Sequence, residues 1–349
     1  MALTGCLATS APPATSEPER LAPAWRALLP GDSARLTAPA PVVEWRSGNP
    51  AVATVDATGL VRAHTLGFAV ISAILDPDGR TAIAGIVVTP PVLIGAGDIA
   101  VCGSNQNDDA TARLLDSIPG IVFTAGDNAY QDGSFEDFSL CYDPTWGRHK
   151  NRTRPSPGNH DYHTLGATGY FNYFGVLAGD SGVGYYRYQL GSWSVFSLNS
   201  NISMAAGSPQ EQWLRDQLSV LRTPCSVAYW HHPRFSSGEH GNTVAAQPLW
   251  QALYDAGADV IIAGHDHTYE RFAPQSPTGA LDSATGIRQF VAGTGGPALY
   301  AFPTPAPNSE FRQNTTHGVL KLTLHATSYD WEFIATDAAV MDSGSGACH

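Results

Sequence analysis

Lysine is nearly absent from this chain, and charge of any kind is scarce. Lys150 and Lys321 are the only lysines in 349 residues, and Asp, Glu, Lys and Arg together make up 14%. Nineteen basic residues against 31 acidic ones leave a formal charge of −12. That balance excludes a polyelectrolyte binder of nucleic-acid backbones and makes an anionic membrane a poor main partner. Long apolar runs are missing too. The uncharged stretch between Arg80 and Asp98, residues 81–97, contains Pro90-Pro91 and falls short of the ~20 apolar residues of a membrane helix. Hydrophobic residues nonetheless reach 43%, with 35 Gly and 25 Pro, so the chain can bury a core, is rich in turns, and fits neither disorder nor a coiled coil. No internal repeat is visible, and the length predicts two domains at ~150 residues each.

The five cysteines are Cys6, Cys102, Cys141, Cys225 and Cys348. Leu3-Thr4-Gly5-Cys6 resembles a bacterial lipobox, in which the Cys carries a lipid anchor, and residues 8–19 read as a flexible tether. Residues 1–21 are accordingly expected to form a lipoprotein-like N-terminus, and the protein to be secreted or held at the cell surface. The other four cysteines suit two disulfides and an oxidising compartment. Three pairings are possible; Cys102 with Cys141 and Cys225 with Cys348 is the expected one.

Residues 22–89 show period-two alternation between Gly and Asp-Gly turns, clearest in Pro41–Trp45, Ala51–Val55 and Phe68–Ala73, which predicts a small all-β sandwich. Trp45, Ser47-x-Asn49-Pro50, Ala53-x-Val55, Gly59-x-Val61 and the strand after Gly67 resemble the bacterial Ig-like domain of group 2. Nothing in this segment carries chemistry. It reads as a spacer or docking module that contacts cell-surface material.

From Val92 the grammar changes. Val92–Gly97, Ile121–Ala125, Ser226–Trp230 and Val260–Ala263 are short apolar runs that each stop at a polar cluster, as buried strands ending at an active-site edge do. Helical spacing marks Asp108–Ser117, Ser208–Leu221 and Thr243–Ala256, the second opening with Ser208 as cap, Pro209 and then Glu211. Tyr185–Leu190 with Ser192–Leu198, and Gly318–Leu324 with Ser328–Ile334, read as antiparallel pairs. The expected fold of residues 92–349 is α/β, with two stacked mixed sheets flanked by helices.

The polar clusters are Gly97-Asp98, Gly126-Asp127-Asn128-Ala129-Tyr130, Gly158-Asn159-His160-Asp161, His231-His232-Pro233 and Gly264-His265-Asp266-His267. A lone Gly-Asp is usually a turn and a lone His-x-His usually structural. Five such clusters at successive strand ends, carboxylates first and imidazoles last, point to a metal site. In this order they resemble the metallophosphoesterase superfamily. Tyr130 and the run His267-Thr268-Tyr269-Glu270-Arg271 make the resemblance closest to its purple acid phosphatase branch. One position departs from the pattern: Ala100 stands where Gly-Asp-x-Gly has its second glycine, which puts the tightness of that loop in question.

The resemblance implies that Asp98, Asp127, Tyr130 and His267 hold one metal and Asp127, Asn159, His231 and His265 a second, with Asp127 bridging. A bridging carboxylate suits ions ~3.5–4 Å apart. A phenolate ligand favours Fe(III), with Zn, Fe or Mn as the divalent partner. His160 and His240 are the expected catalytic residues at the leaving group, while His232 and Asp161 read as hydrogen-bonding neighbours. His149, His163, His317 and His349 read as bystanders. The implied function is hydrolysis of small phosphomonoesters by metal-activated hydroxide, with phosphodiesterase or nucleotidase activity as the alternative. A surface adhesin with a degenerate phosphatase fold is the reading from another class, disfavoured because no ligand position is lost. The acidity of the chain is compatible with a phosphate substrate once two cations reverse the local field.

Overall fold

The computed structural model describes residues 19–77, 79–103 and 107–349. The lipobox and Cys6 lie outside the described residues. The chain divides into two compact units, one up to Pro90 and one from Pro91 to His349.

The first unit pairs strands in the order Glu19–Leu28, Thr81–Val88, Gly67–Leu75 and Val42–Ser47, and carries a second sheet of Ser33–Arg35, Leu60–Ala63 and Ala53–Val55. Its first strand begins at Glu19, so Glu19–Leu21, expected in the N-terminal segment, are part of a strand, with Glu19 and Arg20 paired to Ala82 and Ile83. Alternation sets the buried face: Ala69, Ile71, Ala73 and Leu75 pack with Val52, Val61 and Ile86. The Asn-Pro step is a turn in which the Asn49 carbonyl accepts from both Val52 N and Ala53 N at 3.0 Å. Gly59 turns at φ 78°, where a Cβ would lie 2.7 Å from the Leu36 carbonyl and 2.8 Å from the Trp45 ring.

The second unit contains two large sheets, besides a two-stranded pairing of Ala100–Val101 with Ala129–Tyr130. One runs Thr153–Ser156, Ile121–Ala125, Val92–Ala96, Gly318–Leu324, Ser328–Ala335, Val340–Ala347; the other runs Tyr186–Leu190, Trp193–Ser197, Cys225–Tyr229, Val260–Ala263, Arg288–Ala292, Tyr269–Phe272, Ser309–Gln313. Aromatic rings hold them face to face. Phe123 meets Tyr229 at 5.6 Å between centroids, and Phe333 stacks on Tyr269 at 4.1 Å. Helix Asn107–Ser117 packs Ala112 and Leu115 with Ile94 and Val122 outside the first sheet. Helices Pro209–Ser219 and Gln247–Asp255 pack Leu214, Trp250 and Leu253 with Phe196, Ala228 and Ile261 outside the second. The architecture is the expected pair of mixed sheets between helices.

Two helix limits differ from expectation. The Ser208 hydroxyl does accept from Glu211 N, at 3.4 Å, but the helix ends at Ser219 rather than Leu221. Residues 243–256 are not one helix: a 3-10 turn over Val244–Ala246 precedes the α-helix. Pro248 accounts for the break, because it has no N–H to give the Val244 carbonyl and its ring crowds that group. Both expected disulfides are present, with Cα separations of 5.0 Å for Cys102–Cys141 and 5.5 Å for Cys225–Cys348.

Candidate metal centre

Strands 92–96, 121–125 and 153–156 run parallel, as do strands 225–229 and 260–263. Each delivers its next few residues to the carboxyl edge of its sheet, where open α/β sheets place their ligands. The seven residues singled out as ligands converge there in two groups that share one atom. In the first, the Tyr130 hydroxyl lies 2.9 Å from Asp98 Oδ1, 3.0 Å from Asp127 Oδ2 and 3.1 Å from His267 Nε2. In the second, His231 Nε2 lies 3.2 Å from Asp127 Oδ2, 2.9 Å from Asn159 Oδ1 and 3.2 Å from His265 Nδ1. Asp127 Oδ2 belongs to both.

The backbone aims these donors. Asp98 Oδ2 accepts from His265 N and Asp127 Oδ1 from His160 N, each at 2.8 Å, which leaves the other carboxylate oxygen facing the centre. His231 and His267 each give Nδ1–H to a carbonyl, Ala125 O and Ala298 O at 2.9 Å, and so present Nε2 inward. Asp98, Asp127 and His265 hold φ of 58°, 50° and 72°, a left-handed conformation that side-chain-bearing residues rarely adopt. Gly158 lets two ligand loops touch, since a Cβ there would lie 2.1 Å from Asp127 N and Oδ1. Ala100, in the departing position, is buried in a short strand that pairs with Ala129–Tyr130 and does not have positive φ, so its methyl strains nothing.

Two buried carboxylates and a buried phenol here have no lysine or arginine within ion-pair distance among the described residues; only histidines face them. Burial raises Asp127, but His231 and His160 outweigh it and hold the carboxyl below its usual range. Burial likewise depresses His231, yet Asp127 lifts it to about 9. Burial and then His231 hold His265 far below the ordinary imidazole value and His232 at about 3. Tyr130 is pushed well above the usual phenol by burial, Asp98 and Asp127. An O/N donor set crowded with anionic groups and balanced only by imidazoles fits two multivalent cations and little else.

Around the ligands stands a second layer. Asp161 accepts from Gly158 N at 2.8 Å and Asn128 Nδ2 at 2.9 Å, tying two ligand loops together. Asp266 does the same for the loop after His231, accepting from His240 N at 2.9 Å and from the Ser236 hydroxyl. His160 sits over Tyr130 at 4.4 Å, gives Nδ1–H to the Gln131 carbonyl at 2.6 Å, and has Nε2 4.0 Å from Asp127 Oδ2. The His240 ring lies 4.2 Å from that of His265. Three residues at the centre were not expected there. Tyr300 stacks on His267 at 4.0 Å, His163 packs on His160 at 4.5 Å, and Ser200 bonds His232. None belongs to a motif, so no local pattern in the sequence marks them.

Residues 93–269, just over half of the chain, match the family model for calcineurin-like phosphoesterases, and residues 32–84 that for the bacterial Ig-like domain of group 2. Purple acid phosphatase 21 of Arabidopsis thaliana is 27% identical over 66% of this chain and 58% of its own length, and purple acid phosphatase 15 of the same plant 26% identical over 50% and 41%. The matches thus span about half the length of these curated relatives. Among solved structures, purple acid phosphatase PPD1 from yellow lupin seeds superposes with a TM-score of 0.63 at 16% identity, over 91% of this chain and 68% of that one. GAP50, the anchor in the inner membrane complex of Plasmodium, gives 0.59 at 16%, over 75% and 90%. Kinship of this kind implies a dinuclear metal centre and a hydrolase. The chain belongs to the calcineurin-like phosphoesterase family, with purple acid phosphatases among its relatives and a group 2 bacterial Ig-like domain in its N-terminal part.

Proposed function

We propose that this chain is an extracytoplasmic dimetal phosphatase that hydrolyses phosphomonoesters. The observation that carries the reading is the sharing of Asp127 Oδ2 by two four-residue donor groups. Asp98, Asp127, Tyr130 and His267 would hold one ion and Asp127, Asn159, His231 and His265 the other. The phenol of Tyr130 favours Fe(III) at the first position, with Zn, Fe or Mn at the second. Bound there, the two cations supply charge neutralisation for the phosphoryl oxygens and an acidified water.

The chain's own groups do the rest. Asp127 and Asp98 are fixed through their rear oxygens and cannot turn away. His160, with Nδ1–H committed to the Gln131 carbonyl, directs Nε2 into the site, where its protonated form gives a proton to the leaving oxygen. His240, held by Asp266, is a second imidazole for the same edge. The two disulfides suit an oxidising compartment, and the Ig-like unit suits a surface setting, with Cys6 as the candidate lipid anchor.

Purified protein should turn over p-nitrophenyl phosphate faster than bis(p-nitrophenyl) phosphate, with two metals per chain by elemental analysis. Asp127→Ala and Asn159→Ala should each abolish turnover. Unchanged rates in both variants would sink the site assignment, and faster diester hydrolysis would favour the phosphodiesterase alternative.

A further inference from the structure

His232 stands between the ligand His231 and Pro233, and its ring is turned toward the centre. Its centroid lies 4.4 Å from that of His265 and 4.9 Å from that of His231, and one ring nitrogen from each of the three falls within 4.8 Å of the others. The two ligand histidines already have assigned atoms, His231 Nε2 and His265 Nδ1, with Asp127 and Asn159 completing their group. His232 is therefore an extra imidazole on the rim of a complete set.

Its tautomer follows from Ser200. The backbone N–H of His232 donates to Ser200 Oγ at 3.0 Å, and the same Oγ lies 2.8 Å from His232 Nδ1. Ser200 is buried. Were Nδ1 to carry the hydrogen, Oγ would accept twice and its own proton would have no partner among the described contacts. Donation from the hydroxyl to Nδ1 gives Oγ, its proton and Nδ1 each a partner. Nδ1 is then an acceptor, and the hydrogen of the neutral ring sits on Nε2. A nitrogen that carries hydrogen cannot ligate a metal, but it can donate to an anionic oxygen placed between the imidazoles.

We propose that His232 is a substrate-contacting residue whose Nε2–H donates to a phosphoryl oxygen, and that Ser200 is the positioning residue that fixes its tautomer. This rests on the phosphatase reading and adds to it a third imidazole beside His160 and His240. The sequence suggested only a neighbourly hydrogen bond for His232. The structure adds that the bond runs to a serine whose hydroxyl sets which nitrogen carries the hydrogen.

The test uses the full metal-loaded chain and reads metal content together with the affinity for inorganic phosphate by calorimetry. His232→Ala should keep two metals per chain and weaken phosphate binding about tenfold, the loss of one hydrogen bond to a charged group. His232→Gln, whose amide nitrogen can stand near the place of Nε2, should recover part of that loss. Ser200→Ala should keep both metals and weaken phosphate two- to threefold, because the ring can then adopt either tautomer. A drop in metal content in His232→Ala would show a ligand instead and overturn the proposal. Wild-type phosphate affinity in His232→Ala would overturn it as well. Failure of the underlying phosphatase reading looks different, since the wild-type chain would itself bind no phosphate.

Discussion

The two disulfides close loops of different length in different places, and opening them should have separable effects. Cys225 begins the strand that ends at Tyr229, at the end away from His231; six residues of extended chain put the bond about 20 Å from that ligand. Its partner Cys348 lies next to His349, whose backbone N–H donates to Asp259 at 3.1 Å. With a sequence separation of 123, chain entropy assigns this crosslink about 5 kcal/mol. Cys102 follows the two-residue strand Ala100–Val101, four residues after Asp98, and that strand pairs with Ala129–Tyr130. The Cys102–Cys141 bond, at a separation of 39, is worth about 4 kcal/mol on the same basis. Similar energies thus act on opposite ends of the sheets. Replacing Cys225 and Cys348 by Ala should lower the midpoint of thermal unfolding by roughly 10–20 °C while leaving two metals per chain at 25 °C. Replacing Cys102 and Cys141 by Ala should lower it comparably and also reduce occupancy at the Asp98–Tyr130 position. Calorimetric scans paired with elemental analysis decide it. Metal loss from the folded Cys225/Cys348 variant, or full occupancy in the Cys102/Cys141 variant, would refute the division of labour.

Three further outcomes are expected. Iron-loaded protein should show a broad visible band that Tyr130→Phe abolishes; a band that survives would mean the phenol is not a ligand, and a colourless protein with two zinc or manganese ions would overturn the iron assignment alone. Gly158→Ala places a methyl 2.1 Å from Asp127 N and Oδ1, so it should cost about 1–3 kcal/mol of stability and depress metal content; normal occupancy would show that the loops part freely. His149 is held below the usual imidazole value chiefly by burial, which with smaller contributions from Arg152 and Arg148 outweighs the opposing pull of the Ala112 carbonyl and Asp116. As pH falls the unfolded chain takes up that proton first, so stability is level above about pH 6.5 and declines below it. Thermal midpoints measured from pH 7 to pH 5 should fall more steeply for the wild type than for His149→Gln, and parallel curves would exclude the effect.

What the sequence shows of this centre, and what it hides, divides along a physical line. Asp98, Asp127, Tyr130, Asn159, His231, His265 and His267 all lie within five residues of the end of a parallel strand. There the chain must stop, reverse and present a donor within a few residues, so position and residue type are both local. The sheets are legible for the same reason, as in Val260–Ala263, where four consecutive apolar residues are all buried. The groups that aim the donors are not local. Asp161 reaches Asn128 across 33 residues, Ser200 reaches His232 across 32, and Tyr300 covers His267 from 33 residues away. These contacts come from sheet stacking and loop closure, which no period of two or 3.6 encodes. The charge of −12 hides the site in another way, because it sums over the whole surface while the reaction would see a few ångströms. Within that radius Asp98 and Asp127 would be spent as ligands, and the imidazoles around them stay neutral wherever burial outweighs Asp127. A centre built this way carries little negative charge of its own once two cations are bound, and an acidic chain can then receive a phosphate ester.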